Sequence, residues 1–212
     1  MELLILLVLF FGLSFLLFFV IFIPFKFAIT SLITLLHAPR QIVRVASNHQ
    51  LRRNHALEHA TINVLESELG CSNLSGWATE EGFYVKGKVS PDNVVKAAEK
   101  GLWLLKQGKD DLVIHKSCGT SILVANLSAA VIFLILVFMT TSFSLLNVLI
   151  AILLANLIGP FLGGWVQKKF TTSVDVTGME IIDAYYQKYP DFLFSVQSDN
   201  EIFVKTEKLR VY

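Results

Sequence analysis

Three side chains in one short stretch, His55-Ala56-Leu57-Glu58-His59, combine the types and the spacing of a hydrolytic metal site. On an α-helix, positions i and i+4 lie on one face about one turn apart, so both imidazoles reach a single ion. Glu58 follows His55 by three residues and occupies the adjoining stripe, where a carboxylate serves as general base toward water on that ion. A second cluster, His115-Lys116-Ser117-Cys118-Gly119-Thr120, offers an imidazole and a thiol separated by two residues, both good zinc ligands. Joining His55, His59, His115 and Cys118 gives a closed tetrahedral site of the structural kind. Three protein ligands plus water would leave the open position of a catalytic one. Two further arrangements use the same residues: Cys118 as a nucleophile with His55 or His59 as its base, or no site at all, with the histidines on a solvated helix face and a buried thiol.

The His-x-x-Glu-His order resembles the inverted zinc signature of the insulinase and pitrilysin metallopeptidases. That resemblance, confined to the motif itself, implies His55 and His59 as zinc ligands and Glu58 as catalytic base. Those peptidases take their third ligand from a distant Glu, and this chain has no Glu between Glu99 and Glu180. A broader pattern consists of HALEHATI at 55–62, HxxCGT at 115–120, and Gln167 with Thr171-Thr172. Arranged in that order around an apolar hairpin, it resembles an uncharacterised bacterial membrane-protein family, a domain of unknown function. The likeness spans most of residues 50–175, with Lys116 standing where the family's second turn has Pro. It implies that the helix and both turns meet at the cytoplasmic membrane surface.

What positions these residues begins with charge. The chain has 212 residues, 54% hydrophobic and 17% charged, against roughly a quarter charged in ordinary soluble domains. Residues 3–25 and 117–167 carry no charged side chain, enough for one span and for two, at roughly 20 residues each. All 18 Lys and Arg fall in 26–116 and 168–212. The positive-inside rule then predicts three transmembrane helices in the cell's inner (plasma) membrane, N-terminus outside, both polar segments cytoplasmic. The expected organisation is a first transmembrane helix in 1–25, a cytoplasmic segment 26–120, a transmembrane hairpin 121–167 and a cytoplasmic segment 168–212. Residues 1–25 lack the basic start and cleavage site of a signal peptide. Residues 27–37 are expected to lie along the membrane surface after a break or kink at Pro24.

In the polar segments, Asn54–Leu69 is predicted as a helix ended by Gly70. Residues 72–82 read as a loop, Phe83–Val89 as a strand, and Ser90-Pro91 as the start of a helix to about Gln107. Leu112–Lys116 reads as a short strand, 177–189 as a helix, and Phe192–Val196 with Ile202–Lys205 as closing strands around a turn at 198–200. The fold class is therefore a three-helix membrane protein with a small cytoplasmic α+β domain split around the hairpin.

These features predict an integral membrane metalloprotein with a juxtamembrane His/Glu/Cys site and a zinc-dependent peptidase activity. The alternative is a non-catalytic assembly or scaffold protein with a structural metal or none. The bilayer is the first partner, with a peptide or another membrane protein as a second. A net charge of +1 offers no nucleic-acid surface, and spans without an ionisable residue argue against an ion-coupled transporter. Two cysteines, Cys71 and Cys118, are too few for a disulfide framework.

Overall fold

A computed structural model describes residues 1–186 and 201–208. Helix α1 runs Glu2–Ala46, α2 His49–Leu69, α3 Pro91–Lys106, α4 Gly119–Thr140 and α5 Leu145–Val166; strands are β1 Ser75–Ala78, β2 Gly82–Lys86, β3 Met179–Tyr186 and β4 Glu201–Lys208. The chain divides into two compact units, residues 1–40 with 122–162, and residues 41–121 with 163–212.

The first unit is helical. Three stretches, Leu6–Ala46, Gly119–Thr140 and Leu145–Thr171, are long and apolar enough to cross a membrane. Phe133 is fully buried among Ala28, Val148 and Ala151, with its ring 5.0 Å from that of Phe27. A Cβ added at Gly159 would stand 3.0 Å from Ala125 Cβ, so the absence of a side chain lets α5 approach α4. Residues 27–37, expected as a separate surface helix, are instead part of α1, which continues through Pro24 and Pro39.

The second unit holds the polar chemistry. Asn48 caps α2 by accepting from the Leu51 amide, and Gly70 ends it in the left-handed conformation (φ 62°), its N–H returning to Leu65 O. Ser90 and Pro91 open α3 as expected. Ala56, Leu57, Ala60 and Val64 of α2 are buried with Val94, Ala98, Leu102 and Leu105 of α3. The helices cross closely because Gly101 has no side chain: a Cβ there would lie 3.1 Å from Ala60.

An antiparallel sheet of order β1-β2-β4-β3 completes the unit, and Phe83, Val85, Ile202 and Val204 turn inward to the same core. Three expectations need correction. The 72–82 segment contains strand β1. Of the helix expected at 177–189, the described part is not helical: 179–186 are β3, paired with β4 through a register shift between Ile181 and Asp183. That bulge interrupts the two-residue alternation and disguises the strand. Leu112–Lys116 is not a strand: its first two residues end a 3-10 turn, Asp110–Val113, and a turn closed by Cys118 N–H on His115 O follows. The expected Phe192–Val196 strand and the 198–200 turn lie outside the described residues.

Candidate metal centre

Helix α2 places His55 and His59 one turn apart with ring centroids 4.4 Å apart. Each ring is fixed by a backbone carbonyl. His55 Nδ1 lies 2.9 Å from Thr171 O, and His59 Nδ1 lies 2.6 Å from Val113 O. A carbonyl only accepts, so each Nδ1 carries the proton and each Nε2 presents a lone pair. Metal-binding histidines have this outer-shell arrangement.

The two carbonyls come from opposite ends of the α4–α5 segment, and each is held in turn. Asn63 Nδ2 donates to Leu112 O and Ile114 O at 3.0 and 3.1 Å, bracketing Val113. Thr171 closes a π-turn, Gln167–Thr171, at the end of α5, a local geometry frequent at functional sites. The fully buried Gln167 accepts from His115 N–H at 2.9 Å and donates to His115 O at 3.2 Å and to Ser121 Oγ. Its amide thus braces the turn that carries Cys118. Gly163 permits the approach, since a Cβ there would stand 2.7 Å from Ser121 Oγ.

Cys118 Sγ lies 3.4 Å from His55 Nε2, with the thiol hydrogen directed to that lone pair, and accepts from Thr120 N–H at 3.3 Å. One ligand atom from each of His55, His59 and Cys118 falls within 4.8 Å of the other two. Tetrahedral zinc with N and S bonds near 2.0–2.3 Å needs ligand separations of roughly 3.3–3.6 Å. The Cys118–His55 pair already has that spacing, and His59 would close in by up to about an ångström. The donor set therefore fits a three-ligand ion.

His115 stands differently. Its ring centroid is 5.9 Å from that of His59, but its Nε2 faces Glu66 Oε2 at 3.3 Å. Among the described residues it is not part of the converging group.

Glu58 is 4% exposed. Its Oε2 lies 3.7 Å from His55 Nε2, too long for a hydrogen bond. Burial pushes its pKa from 4.5 to about 8; His55 opposes the rise and Cys118 adds to it. Burial also lowers His59 well below the usual imidazole range and raises the Cys118 thiol, against the amides of Thr120 and Ser121. Burial thus favours the neutral forms of Glu58, His59 and Cys118. Coordination would remove the thiol proton and supply positive charge beside Glu58.

Among the described residues, three buried side-chain polar atoms have no hydrogen-bond partner: Glu58 Oε2, His59 Nε2 and Thr171 Oγ1. Glu58 and His59 belong to this cluster, and Thr171 adjoins it through its carbonyl on His55. Unpartnered buried groups carry a desolvation cost of about 1–3 kcal/mol each, and a bound ion or water would relieve it for Glu58 and His59. Sequence reasoning missed Gly76 of β1. A Cβ there would stand 2.6 Å from Glu58 Oε1 and 2.9 Å from its Cγ, so only glycine leaves room for that side chain.

A family model described as a domain of unknown function, DUF6391, matches residues 50–184, an interval that contains every residue of the cluster. An uncharacterised protein of Picosynechococcus sp. is 37% identical over 90 residues, covering 38% of this chain and 43% of that protein. The chain thus spans less than half the length of that relative. No solved structure matches.

Proposed function

The chain belongs to the family of the domain of unknown function DUF6391, and on that footing we propose that it is an integral membrane zinc protein of hydrolytic type. His55, His59 and Cys118 hold the ion, and Glu58 is the general base for hydrolysis of peptide bonds. The single observation that carries this reading is the cluster of unpartnered buried atoms, Glu58 Oε2 and His59 Nε2 above all, around three converging ligand atoms.

A divalent ion held by three protein ligands supplies a Lewis acid with an open position and acidifies water there. The protein's own groups do the rest. Val113 O and Thr171 O hold both Nε2 atoms toward one point, and Glu58 takes a proton from water and returns it to the leaving nitrogen. The surrounding burial limits the site to few water molecules and strengthens these charge interactions. The same His-His-Cys set also suits copper electron transfer, where a weak axial thioether is usual. A carboxylate in the neighbouring place favours hydrolysis. His115 and Glu66 lie beside the ligands as outer support.

The three apolar helices expose large side chains such as Phe138, Leu157 and Phe161, and lipid is the partner that covers such surface. We place the N-terminus outside and the site on the cytoplasmic side of the cell membrane, since all the basic residues lie in 26–116 and 168–212.

Elemental analysis of detergent-purified protein tests the proposal. About one equivalent of zinc is expected in the wild type, falling at least tenfold in Cys118→Ala and His59→Ala. A negligible content without uptake on reconstitution overturns it. Glu58→Gln separates the two functional classes. A variant that keeps its zinc and loses peptide hydrolysis supports the enzyme; one that keeps both zinc and full cellular function leaves a structural metal in a membrane assembly or scaffold protein.

A further inference from the structure

Strand β1 lies at the edge of the sheet and, among the described residues, pairs only with β2. It is held along the HxxEH stretch of α2 at both ends. Asn54, the residue before His55, donates to Thr79 O at 2.8 Å and Glu80 O at 3.0 Å, beyond the end of β1. Three residues back along the strand, Gly76 touches Glu58. Positions 54 to 58 of the helix therefore run beside positions 79 to 76 of the strand, in opposite directions. The Glu58 carboxyl joins the two features: Oε1 meets Gly76, and Oε2 faces His55 Nε2.

The hairpin register fixes which backbone groups of β1 are left unused by β2 among the described residues. Thr79 N–H donates to Gly82 O at 2.8 Å, so the next pair, Ala78↔Phe83, is of the wide type that exchanges no hydrogen bonds. The Ala78 N–H and C=O accordingly point away from β2, toward the open side of the sheet. On the outer face at the same edge, Trp77 stacks on Tyr84 at 4.6 Å and 14° and is 41% exposed. An open edge of this kind is complementary to one chemistry, an extended polypeptide backbone, and the adjoining ring to an apolar side chain.

From this geometry we infer that β1 is the substrate-binding edge of the site: an extended peptide adds to it as a fifth strand, hydrogen-bonded at Ala78, with an apolar side chain against Trp77 and a peptide bond delivered toward Glu58. The inference rests on the hydrolytic reading above and names its substrate class as unstructured polypeptide rather than a small amide or ester.

The test separates binding from chemistry. Zinc-loaded, full-length Glu58→Gln protein in detergent is titrated into a fluorescein-labelled nine-residue Val/Thr-rich peptide, read by anisotropy. A second peptide with proline at alternate positions cannot pair as a strand. Ala78→Pro removes the outward donor without removing a ladder bond, a place where an edge strand tolerates proline. The expected results are saturable binding of the first peptide, at least about tenfold weaker binding of the proline peptide, and a similar loss when Ala78→Pro is added. Metal content and melting temperature serve as controls for folding, and Trp77→Ala, which leaves the backbone intact, is expected to weaken binding about threefold to tenfold. Equal binding of both peptides, indifference to Ala78→Pro and Trp77→Ala in folded protein, or no binding overturns the inference. So does a Ser75→Cys disulfide between two chains that forms readily and blocks the peptide, which would assign the edge to self-association. Edge-dependent binding without Glu58-dependent hydrolysis would instead retain the peptide site and remove the enzyme.

Discussion

The sharpest physical consequence of the site is the pH dependence of the metal-free protein. Glu58 has a folded pKa of about 8 against 4.5 when unperturbed, with burial the largest cause. Above pH 4.5 the unfolded chain has released this proton while the folded one keeps it. The unfolded state then binds fewer protons, so stability falls as pH rises from 4.5 through about 8. Each unit is worth about 1.4 kcal/mol, so between pH 5 and 7.5 this group alone removes about 3 kcal/mol. Glu58→Gln abolishes the titration and keeps the shape. His59 acts oppositely: its lowered pKa costs stability as pH falls below the usual imidazole value. It is common to both proteins and largely cancels in their difference.

The assay is thermal unfolding of chelator-treated protein in detergent, followed by tryptophan fluorescence. The variant should be the more stable at pH 7.5, and its advantage should widen by about 3 kcal/mol from pH 5, which corresponds to roughly 6–12 °C for a chain of this size. Zinc should flatten the wild-type slope, because positive charge beside Glu58 favours its ionised form. Parallel melting curves across pH 5–7.5, with the difference constant to within about 1 kcal/mol, would refute the buried neutral carboxyl and with it the account of the site's electrostatics.

Three other perturbations follow from the same geometry. Gln167→Leu removes the buried bridges to His115 and Ser121. It should cost about 1–3 kcal/mol in melting experiments and weaken zinc binding about 10–100-fold in a chelator competition; an unchanged zinc affinity would detach the π-turn from the site. Gly76→Ala sets a methyl group against Glu58 and against the backbone oxygen of Tyr84, both at 2.6 Å. A loss of about 1–3 kcal/mol is expected, and wild-type stability would show that the strand does not press on the carboxylate. Asp175 is held at about 2 by hydrogen bonds from Thr177 first and then Arg53. Its contribution is present above pH 4 and lost as pH falls through 2; since the carboxylate is 53% exposed, Asp175→Asn should remove less than about 1 kcal/mol at pH 6 and only a small part of that at pH 2.

The parts of this molecule written in local sequence were readable, and the parts written in backbone were not. His55, Glu58 and His59 declare themselves because helical spacing puts them within reach of one point. Cys118 declares itself as a thiol close behind His115, and the α2 and α3 ends through Gly70 and Ser90-Pro91. The groups that aim the histidines are Val113 O and Thr171 O, and a carbonyl has no signature because every residue owns one. Strand β3 was hidden by its bulge, and β1 by its four-residue length and by Gly76, which looks like loop punctuation yet serves the packing of Glu58. His115 shows the limit of spacing arguments. Its separation from Cys118 suits a shared ion, but Gln167 clamps its backbone on both sides and its ring turns to Glu66.

This division has a mechanistic consequence. An isolated α2 would carry the whole HxxEH motif and still lack a binding site, because neither imidazole would have a fixed tautomer or direction. Both orienting carbonyls and the third ligand come from residues 113–118 and 167–171, the segments that flank α4 and α5 in the chain. Each outer-shell partner of a metal ligand is commonly worth about 10–100-fold in affinity, so losing both carbonyls would leave α2 with roughly a hundredfold to ten-thousandfold weaker hold on the ion even before Cys118 is considered. On the proposed reading, metal capture is therefore coupled to closure of the second unit around α2. On that reading the unpartnered atoms of Glu58 and His59 are where the coupling is stored: both are buried without a hydrogen-bond partner, and a ligand that satisfied them would offset their desolvation.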